Sequence, residues 1–236
     1  MTEKKWMGSP HLYNMIRFLE GQAVSHRRLL LFGCACCRRV WDLLQLEASR
    51  RIVEVAEAYA DGEVRETELR SVADSSEFAC IEPQFVRESA TQLSARVADA
   101  VHAAKHLATS PIDLGFIAQN TSRDKSHDFV LSTQNNFGIG IAVRRDESEF
   151  AEKVKLLRDI FGNPFHPVAF DPTWRTSTAV AFANEMYQSR DFSGMPILAD
   201  ALQDAGCENE DILNHCRGEG PHVRGCWVVD LILGKE

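Results

Sequence analysis

The amino-acid sequence predicts an all-α fold, a bundle of about eight to ten helices. Apolar residues recur at helical spacing along most of the chain, and Gly, Pro, Asp or Ser separates these segments where helices usually begin or end. Residues 111–145 are polar and lack a helical period, so we expect an irregular linker or a small β insertion there. Within it, the apolar runs 129–131 and 139–143 favour a hairpin around Asn135-Asn136.

These features divide the chain into three regions. An N-terminal helical region covers 1–110, the linker or insertion covers 111–145, and a C-terminal helical region covers 146–236. The two helical regions form either one packed domain or two lobes.

The strongest helical patterns are at the N-terminus. Residues 11–20 carry apolar side chains three and four apart, and Gly21 ends the pattern. A longer segment, 26–44, follows the capping residue Ser25, and its apolar side chains fill an arc of about 200° at 100° per residue. Because Trp41 lies on that arc, we expect a helix over the whole segment with a buried indole.

Further helices are predicted from the same spacing and from breaks at Gly or Pro. The final segment, RGCWVVDLIL, has the composition of a strand, but its length, Gly234 and its helical surroundings favour a helix. The expected helices cover 48–60, 67–73, 83–110, 146–161, 176–189, 195–205, 209–217 and 224–233.

The charge balance excludes two classes of partner. The formal net charge is −8, and only residues 1–60 are basic, with nine Lys and Arg against six Asp and Glu. We therefore expect no nucleic acid and no anionic membrane as partner. The longest strongly apolar run, 29–37, is less than half of the roughly twenty residues that a membrane span needs. The expectation is a soluble, cytoplasmic protein.

The seven cysteines are an odd number and predict reduced thiols rather than a disulfide framework. Cys34, Cys36 and Cys37 lie together in the long N-terminal helix, next to Arg38 and Arg39. Arginine beside a thiol favours a reactive cysteine, but the positions of Cys34 and Cys37 continue a stripe of apolar residues. Core packing is the favoured role for this cluster.

A second cluster near the C-terminus has residue types that bind zinc: Cys207, His215, Cys216, His222 and Cys226. The spacing Cys216-x5-His222-x3-Cys226 places three potential ligands across a Gly-Glu-Gly-Pro loop, and Cys207 or His215 supplies a fourth. In the alternative interpretation, Cys216 and Cys226 are small hydrophobic residues on helix faces.

The same cluster contains the residue types of a cysteine nucleophile, with Cys216 beside His215, His222 or Asp230. Neighbours on a helix point about 100° apart, so His215 and Cys216 do not face each other. The chain also lacks a phosphate-binding loop and the HExxH and GxSxG signatures. No catalytic residue is assigned.

The loop 218–221 predicts a sharp turn, with Gly218 left-handed just past a helix end. This turn folds the last helix back against Ile212 and Leu213, with Cys226 facing inward. His222 and Arg224 are expected to be exposed on the turn. The candidate surface for a protein partner consists of His222, Arg224, Arg27 and Arg38.

Several segments resemble an expanded set of uncharacterised proteins of planctomycete bacteria. The resemblance does not extend to about 62–145, and it implies a bacterial cytoplasmic protein without implying an activity. The matching segments are RLLLFGCACCRRVWDLL at 28–44, LLRDIFGNPF at 156–165, PILADALQDAGC at 196–207 and DILNHCRGEGPHVRGCWVVDLILGKE at 211–236.

These observations leave three hypotheses about function. The first is a non-catalytic helical module, without a cofactor, that binds a protein partner. The second is a helical domain stabilised by zinc through the C-terminal Cys and His residues. The third is a cysteine-dependent enzyme.

Overall fold

The computed structural model describes residues 1–74, 92–108, 112–121, 130–132, 140–142 and 147–235. Three sequence features lie outside the described residues: Cys80, the expected helix start at Pro83, and the expected hairpin turn at Asn135-Asn136.

Helices make up nearly all of the regular structure, which confirms the all-α prediction. None of the described helices has the length and apolar character of a membrane span. Among the described residues, short 3-10 helices cover Trp41–Leu43, His106–Ala108 and Pro172–Trp174. The α-helices are α1 Glu3–Gly8, α2 Leu12–Glu20, α3 His26–Arg38, α4 Glu47–Ala60, α5 Glu66–Ala73, α6 Gln92–Lys105, α7 Leu114–Asn120, α8 Glu147–Phe161, α9 Ser177–Ser189, α10 Met195–Asp204, α11 Glu210–Arg217 and α12 Trp227–Leu233.

The segment expected to be irregular contains two paired strands and a helix. Strands β1, Val130–Ser132, and β2, Gly140–Ala142, pair in antiparallel register, as the apolar runs predicted. Helix α7 was not expected there. It begins after Asp113, whose side chain accepts a hydrogen bond from the backbone N–H of Phe116 and so caps the helix.

The chain divides into two compact units. The terminal unit consists of Met1–Ala35 with Val154–Glu236, and the middle unit consists of Cys36–Lys153. These bounds differ from the predicted division, because the predicted boundaries at 111 and 145 both lie inside the middle unit.

Helix α3 is buried on every side from Leu30 to Cys37, whereas the sequence predicted burial only along an apolar arc of about 200°. Leu31 and Ala35 are buried too, although the helical projection puts them outside the apolar arc. Leu31 approaches the backbone of Gly225, where an added Cβ would lie 3.0 Å from Leu31 Cδ1. Gly225 has φ +92°, so glycine suits this position on both counts.

The prediction of a helix continuing through Trp41 was wrong. Helix α3 ends at Arg38, the chain turns, and Trp41 begins a 3-10 helix with a half-buried side chain. The guanidinium of Arg38 lies 4.0 Å from the centre of the indole, and that of Arg50 lies 5.5 Å from it. Two arginines therefore lie beside the ring that the sequence assigned to the core.

In the middle unit, Cys36 and Cys37 are fully buried, which confirms core packing. Burial raises the pKa of the Cys36 thiol to about 11 despite the nearby charges of Lys153 and Arg39. Arg38 forms a two-pronged ion pair with Glu57, with both N–O distances 2.9 Å.

The terminal unit has a core built from α9 to α12, which confirms that the last helix folds back. Helix α12 packs against α9 and α11, with Val228, Val229 and Ile232 fully buried. Gly218 is not left-handed, since its φ is −66°, and the positive φ angles of the turn occur at Gly220 and Gly225.

A buried ion pair joins α3 to α12 within the terminal unit. The carboxylate of Asp230 is fully buried and accepts hydrogen bonds from both terminal nitrogens of Arg27. Arg27 also donates to the hydroxyl of Tyr187 on α9, with an N–O distance of 2.8 Å. One arginine therefore ties three helices together.

We expect Arg27→Met to lower the free energy of unfolding by about 3–5 kcal/mol, because it leaves the buried Asp230 carboxylate without its guanidinium. The double variant Arg27→Met/Asp230→Leu should regain most of that loss. Urea unfolding followed by circular dichroism measures both, with the exposed Arg17→Met as the control, expected to change stability by no more than about 0.5 kcal/mol. Equal stability of Arg27→Met and Arg17→Met would contradict the buried pair.

Cys36 should resist alkylation in the folded protein. With a pKa of about 11 its thiolate fraction at pH 8 is about one in a thousand, and its side chain is inaccessible. Iodoacetamide treatment at pH 8 followed by mass spectrometry should find Cys36 unmodified in the native chain and modified in urea. Labelling in the native chain at the rate seen in urea would show that the core is not closed around this residue.

Candidate metal centre

The candidate site is built around Asp159, an acidic residue on the buried side of α8. Its neighbours along the helix, Leu157, Ile160 and Phe161, are buried apolar residues, and Asp159 itself is 3% exposed. A buried carboxylate is stable only when hydrogen bonds or opposite charges compensate its loss of water.

Two histidines and a backbone N–H supply that compensation. Oδ1 of Asp159 lies 2.7 Å from Nδ1 of His222 and 3.1 Å from Nε2 of His215. Oδ2 accepts a hydrogen bond from the backbone N–H of Val223, with an N–O distance of 3.0 Å. Burial raises the pKa of Asp159, but the two histidines outweigh burial and the net shift is downward.

Cys226 completes the group. Its Sγ lies 3.2 Å from Nε2 of His215, and its side chain is fully buried at the start of α12. Burial and the neighbouring Asp159 carboxylate raise the pKa of the Cys226 thiol well above its usual value. One potential ligand atom each from Asp159, His215, His222 and Cys226 lies within 4.8 Å of every other, and this group can hold a metal ion.

Local structure brings these residues together from α8, α11, the turn and α12. Asn209 caps α11 by accepting from the N–H of Ile212, and His215 lies in the last turn of that helix. At Gly220, with φ +76°, an added Cβ would lie 3.0 Å from the backbone nitrogen of His222 and 3.3 Å from its ring. A glycine there therefore lets the His222 ring turn in beside His215, with the ring centres 4.9 Å apart.

The structure brings together three of the five residues predicted to bind zinc. His215, His222 and Cys226 belong to the group, whereas Cys207 and Cys216 lie in the hydrophobic core outside it. Cys216 follows His215 on α11, so the two side chains leave the helix about 100° apart. Burial raises the pKa of Cys216 to about 12.

Sequence reasoning missed Asp159 as a member of this group. It is separated from His215 by 55 residues, and the helical period alone gives no register between α8 and α11. One signal was present in the sequence. The stretch Leu156–Phe161 is apolar except for Arg158 and Asp159, and Asp159 is its one acid. Charged residues are rarely buried without a partner, so such an acid marks a candidate site.

The four residues expected to form an exposed interaction surface each make contacts within the chain. His222 was expected on the outside of the turn, but its side chain is only 8% exposed because Asp159 draws it inward. Arg27 pairs with Asp230, and Arg38 pairs with Glu57. The remaining member, Arg224, donates through Nε to the carbonyl oxygen of Tyr187 and stacks on its ring, 4.6 Å from the ring centre.

Cys216, the predicted nucleophile, lies outside the group, and the geometry around Cys226 does not match a cysteine nucleophile with His215 as its base. A histidine in that role uses one ring nitrogen for the thiol and the other for the orienting carboxylate. Here the same atom, Nε2 of His215, lies 3.1 Å from the Asp159 carboxylate and 3.2 Å from the Cys226 sulfur. Asp230, the acid suggested for such a system, is paired with Arg27.

Comparisons of the chain with protein-family models, curated proteins and solved structures found no match. The resemblance to planctomycete proteins stays a prediction, and the function has to be argued from the site itself.

Proposed function

We propose that the terminal unit is a helical domain stabilised by a structural Zn²⁺, bound by Asp159 Oδ1, His215 Nε2, His222 Nδ1 and Cys226 Sγ. The observation that carries the proposal is the convergence at His215. Its Nε2 is almost equidistant from an oxygen and a sulfur, at 3.1 and 3.2 Å. A single N–H points along one direction only, whereas ligands around one ion all face a common centre.

The chemistry of the donors favours zinc. Two imidazoles, a thiolate and a carboxylate are all established zinc ligands, whereas Mg²⁺ and Ca²⁺ prefer oxygen donors throughout. With Asp159 and Cys226 ionised, two negative charges balance the dication, so the buried site is neutral. Affinity for Cu²⁺ generally exceeds that for Zn²⁺ at such sites, so the metal content of the purified protein has to be measured for copper as well as zinc.

The spacing of the donors fits a small tetrahedral site. Zinc bonds of about 2.0–2.3 Å give ligand-to-ligand distances of about 3.3–3.6 Å in a tetrahedron. The Asp159–His222, Asp159–His215 and His215–Cys226 contacts are 2.7, 3.1 and 3.2 Å. For these three contacts, binding requires the donors to separate by up to roughly 0.6 Å. The other donor pairs, which lie within 4.8 Å of one another, have to approach by up to about 1.5 Å, so side-chain rotation accompanies binding.

The enclosure of the site supports a structural role rather than a catalytic one. Catalytic zinc keeps one coordination position for water or substrate, whereas structural zinc takes four protein ligands. Four side chains are available here, and the most exposed of them, His215, is only 18% exposed. The ion would fasten α11, the turn and α12 to α8, and its binding free energy would add to the stability of the unit.

Protein purified without a histidine tag should contain about one zinc ion per chain. Removing the ion with a chelator should lower the melting temperature, and adding zinc back should restore it. Inductively coupled plasma mass spectrometry measures the metal content, and differential scanning calorimetry measures the transition. A metal-free chain whose melting temperature does not respond to zinc would show that the four side chains form a hydrogen-bonded cluster only.

Replacement of single cysteines separates the metal ligand from its neighbours. Cys226→Ala should weaken zinc binding by at least about 100-fold, since even residues that only support ligands contribute 10–100-fold. Cys216→Ala is the matched control, because it removes an equally buried thiol from the same core without removing a ligand. Competition with a chromophoric chelator measures both affinities, and equal zinc affinity in the two variants would remove Cys226 from the site.

A further inference from the structure

A pocket of about 570 Å³ opens on the terminal unit beside the candidate metal centre, with His215 in its wall. Its volume lies in the range of about 300–1,000 Å³ that is typical of small-molecule sites. Much of the wall is apolar, with contributions from Leu19, Val24, Phe161, Val168, Trp227 and Leu231.

Arg28 distinguishes this pocket from an apolar cleft. It lies near the start of α3 and lines the pocket, and its Nε is buried without a hydrogen-bond partner. Within the part of the chain that the structure describes, its guanidinium forms no hydrogen bond or ion pair. By contrast, Arg27, Arg38 and Arg39 each pair with a carboxylate.

An uncompensated guanidinium in an apolar wall favours an anionic ligand. Arginine stays charged in proteins, and its planar fork matches the two oxygens of a carboxylate. The Nε of Arg28 is buried, whereas its two terminal nitrogens are not among the buried unpaired atoms and are available as donors to a ligand in the pocket that Arg28 lines.

The other charges of the lining limit the ligand to a single negative charge. Arg158 also lines the pocket, but its guanidinium already donates to the carbonyl oxygens of Trp6 and Ser9. Asp211 is the one acid among the described lining residues, and it is exposed. Two arginines against one aspartate give a small positive excess, which suits a carboxylate better than a phosphate monoester of charge about −1.5 to −2.

We infer that this pocket binds a ligand that carries one carboxylate on an apolar body. The carboxylate pairs with the terminal nitrogens of Arg28, and the apolar body lies against Trp227 and Phe161. Both a free medium-chain acid and the C-terminal carboxylate of a peptide have this chemistry. The inference does not rest on the proposed zinc ion, because Arg28 and the apolar wall are not metal ligands.

Isothermal titration calorimetry on the full chain tests the inference with defined probes. Octanoate is the acid, octanamide is its neutral counterpart and octyl phosphate is the more highly charged one. A short peptide ending in leucine, with a free or an amidated C-terminus, tests the peptide source. Arg28→Met removes the guanidinium, Arg28→Lys keeps the charge without the planar fork, and Arg17→Met removes an exposed arginine of α2 outside the pocket.

Octanoate or the free-acid peptide should bind the wild-type chain at least tenfold more tightly than its amide and than octyl phosphate. Arg28→Met should lose at least tenfold in affinity for the acid, Arg28→Lys should lose less, and Arg17→Met should bind like the wild type. Whichever acid binds more tightly identifies the source. The inference is overturned if neither acid binds, if acid and amide bind equally, or if neither Arg28 variant weakens binding while circular dichroism shows both folded. The zinc content of each sample is measured as well, so that a failure to bind the acid can be distinguished from a failure to bind zinc.

Discussion

The buried carboxylate of Asp159 fixes the arrangement of the C-terminal part of the chain. Both of its oxygens are used, one by His215 and His222 and the other by the backbone N–H of Val223. Removing any of these partners would leave a buried charge undercompensated, at a cost of several kcal/mol. The turn after α11 therefore has to return to α8, and Cys226 at the start of α12 follows it there.

Close backbone approaches make this return possible. Gly162 ends α8 with φ +61°, and a Cβ at that position would lie 3.2 Å from the Trp227 ring. Its carbonyl oxygen also accepts a hydrogen bond from the indole of Trp6, with an N–O distance of 2.8 Å. Gly225 plays the corresponding part at the other end of the turn, where its backbone meets Leu31. Side chains at either glycine would push the turn away from α8 and α3.

Much of the fold could be predicted because its signals are local. The helical period, the capping residue Asn209 and the composition of the last segment all act within one or two turns of chain. Trp41 was misplaced because a helical projection assumes that the helix continues. The helix ends at Arg38, so the projected direction of the Trp41 side chain does not apply. Helix α7 was missed because the polar residues that follow it led us to interpret the whole segment as irregular, and the capping role of Asp113 was not recognised.

The candidate site was only partly predictable for a different reason. His215, His222 and Cys226 lie within twelve residues of one another, so ligand spacing pointed to them. Spacing also pointed to Cys216, and only its direction from α11 removes it from the group. An acid among apolar residues marks Asp159 as a candidate, but only tertiary packing brings it to His215, and no local pattern encodes that contact.

Helix α12 is held by two polar anchors with different physical character. Near its middle, Asp230 is paired with Arg27, a contact that needs no ion and is complete in the structure. At its start, Cys226 contacts His215 in the candidate metal centre. Because Val228, Val229 and Ile232 pack into the core independently of both, the helix has a place in the fold before any metal binds. A zinc ion at the proposed site would therefore act mainly on the turn that carries His222. This turn is not helical, so it lacks the backbone hydrogen bonds that stabilise a helix. A bound ion would therefore add more to the stability of the turn than to that of the helix.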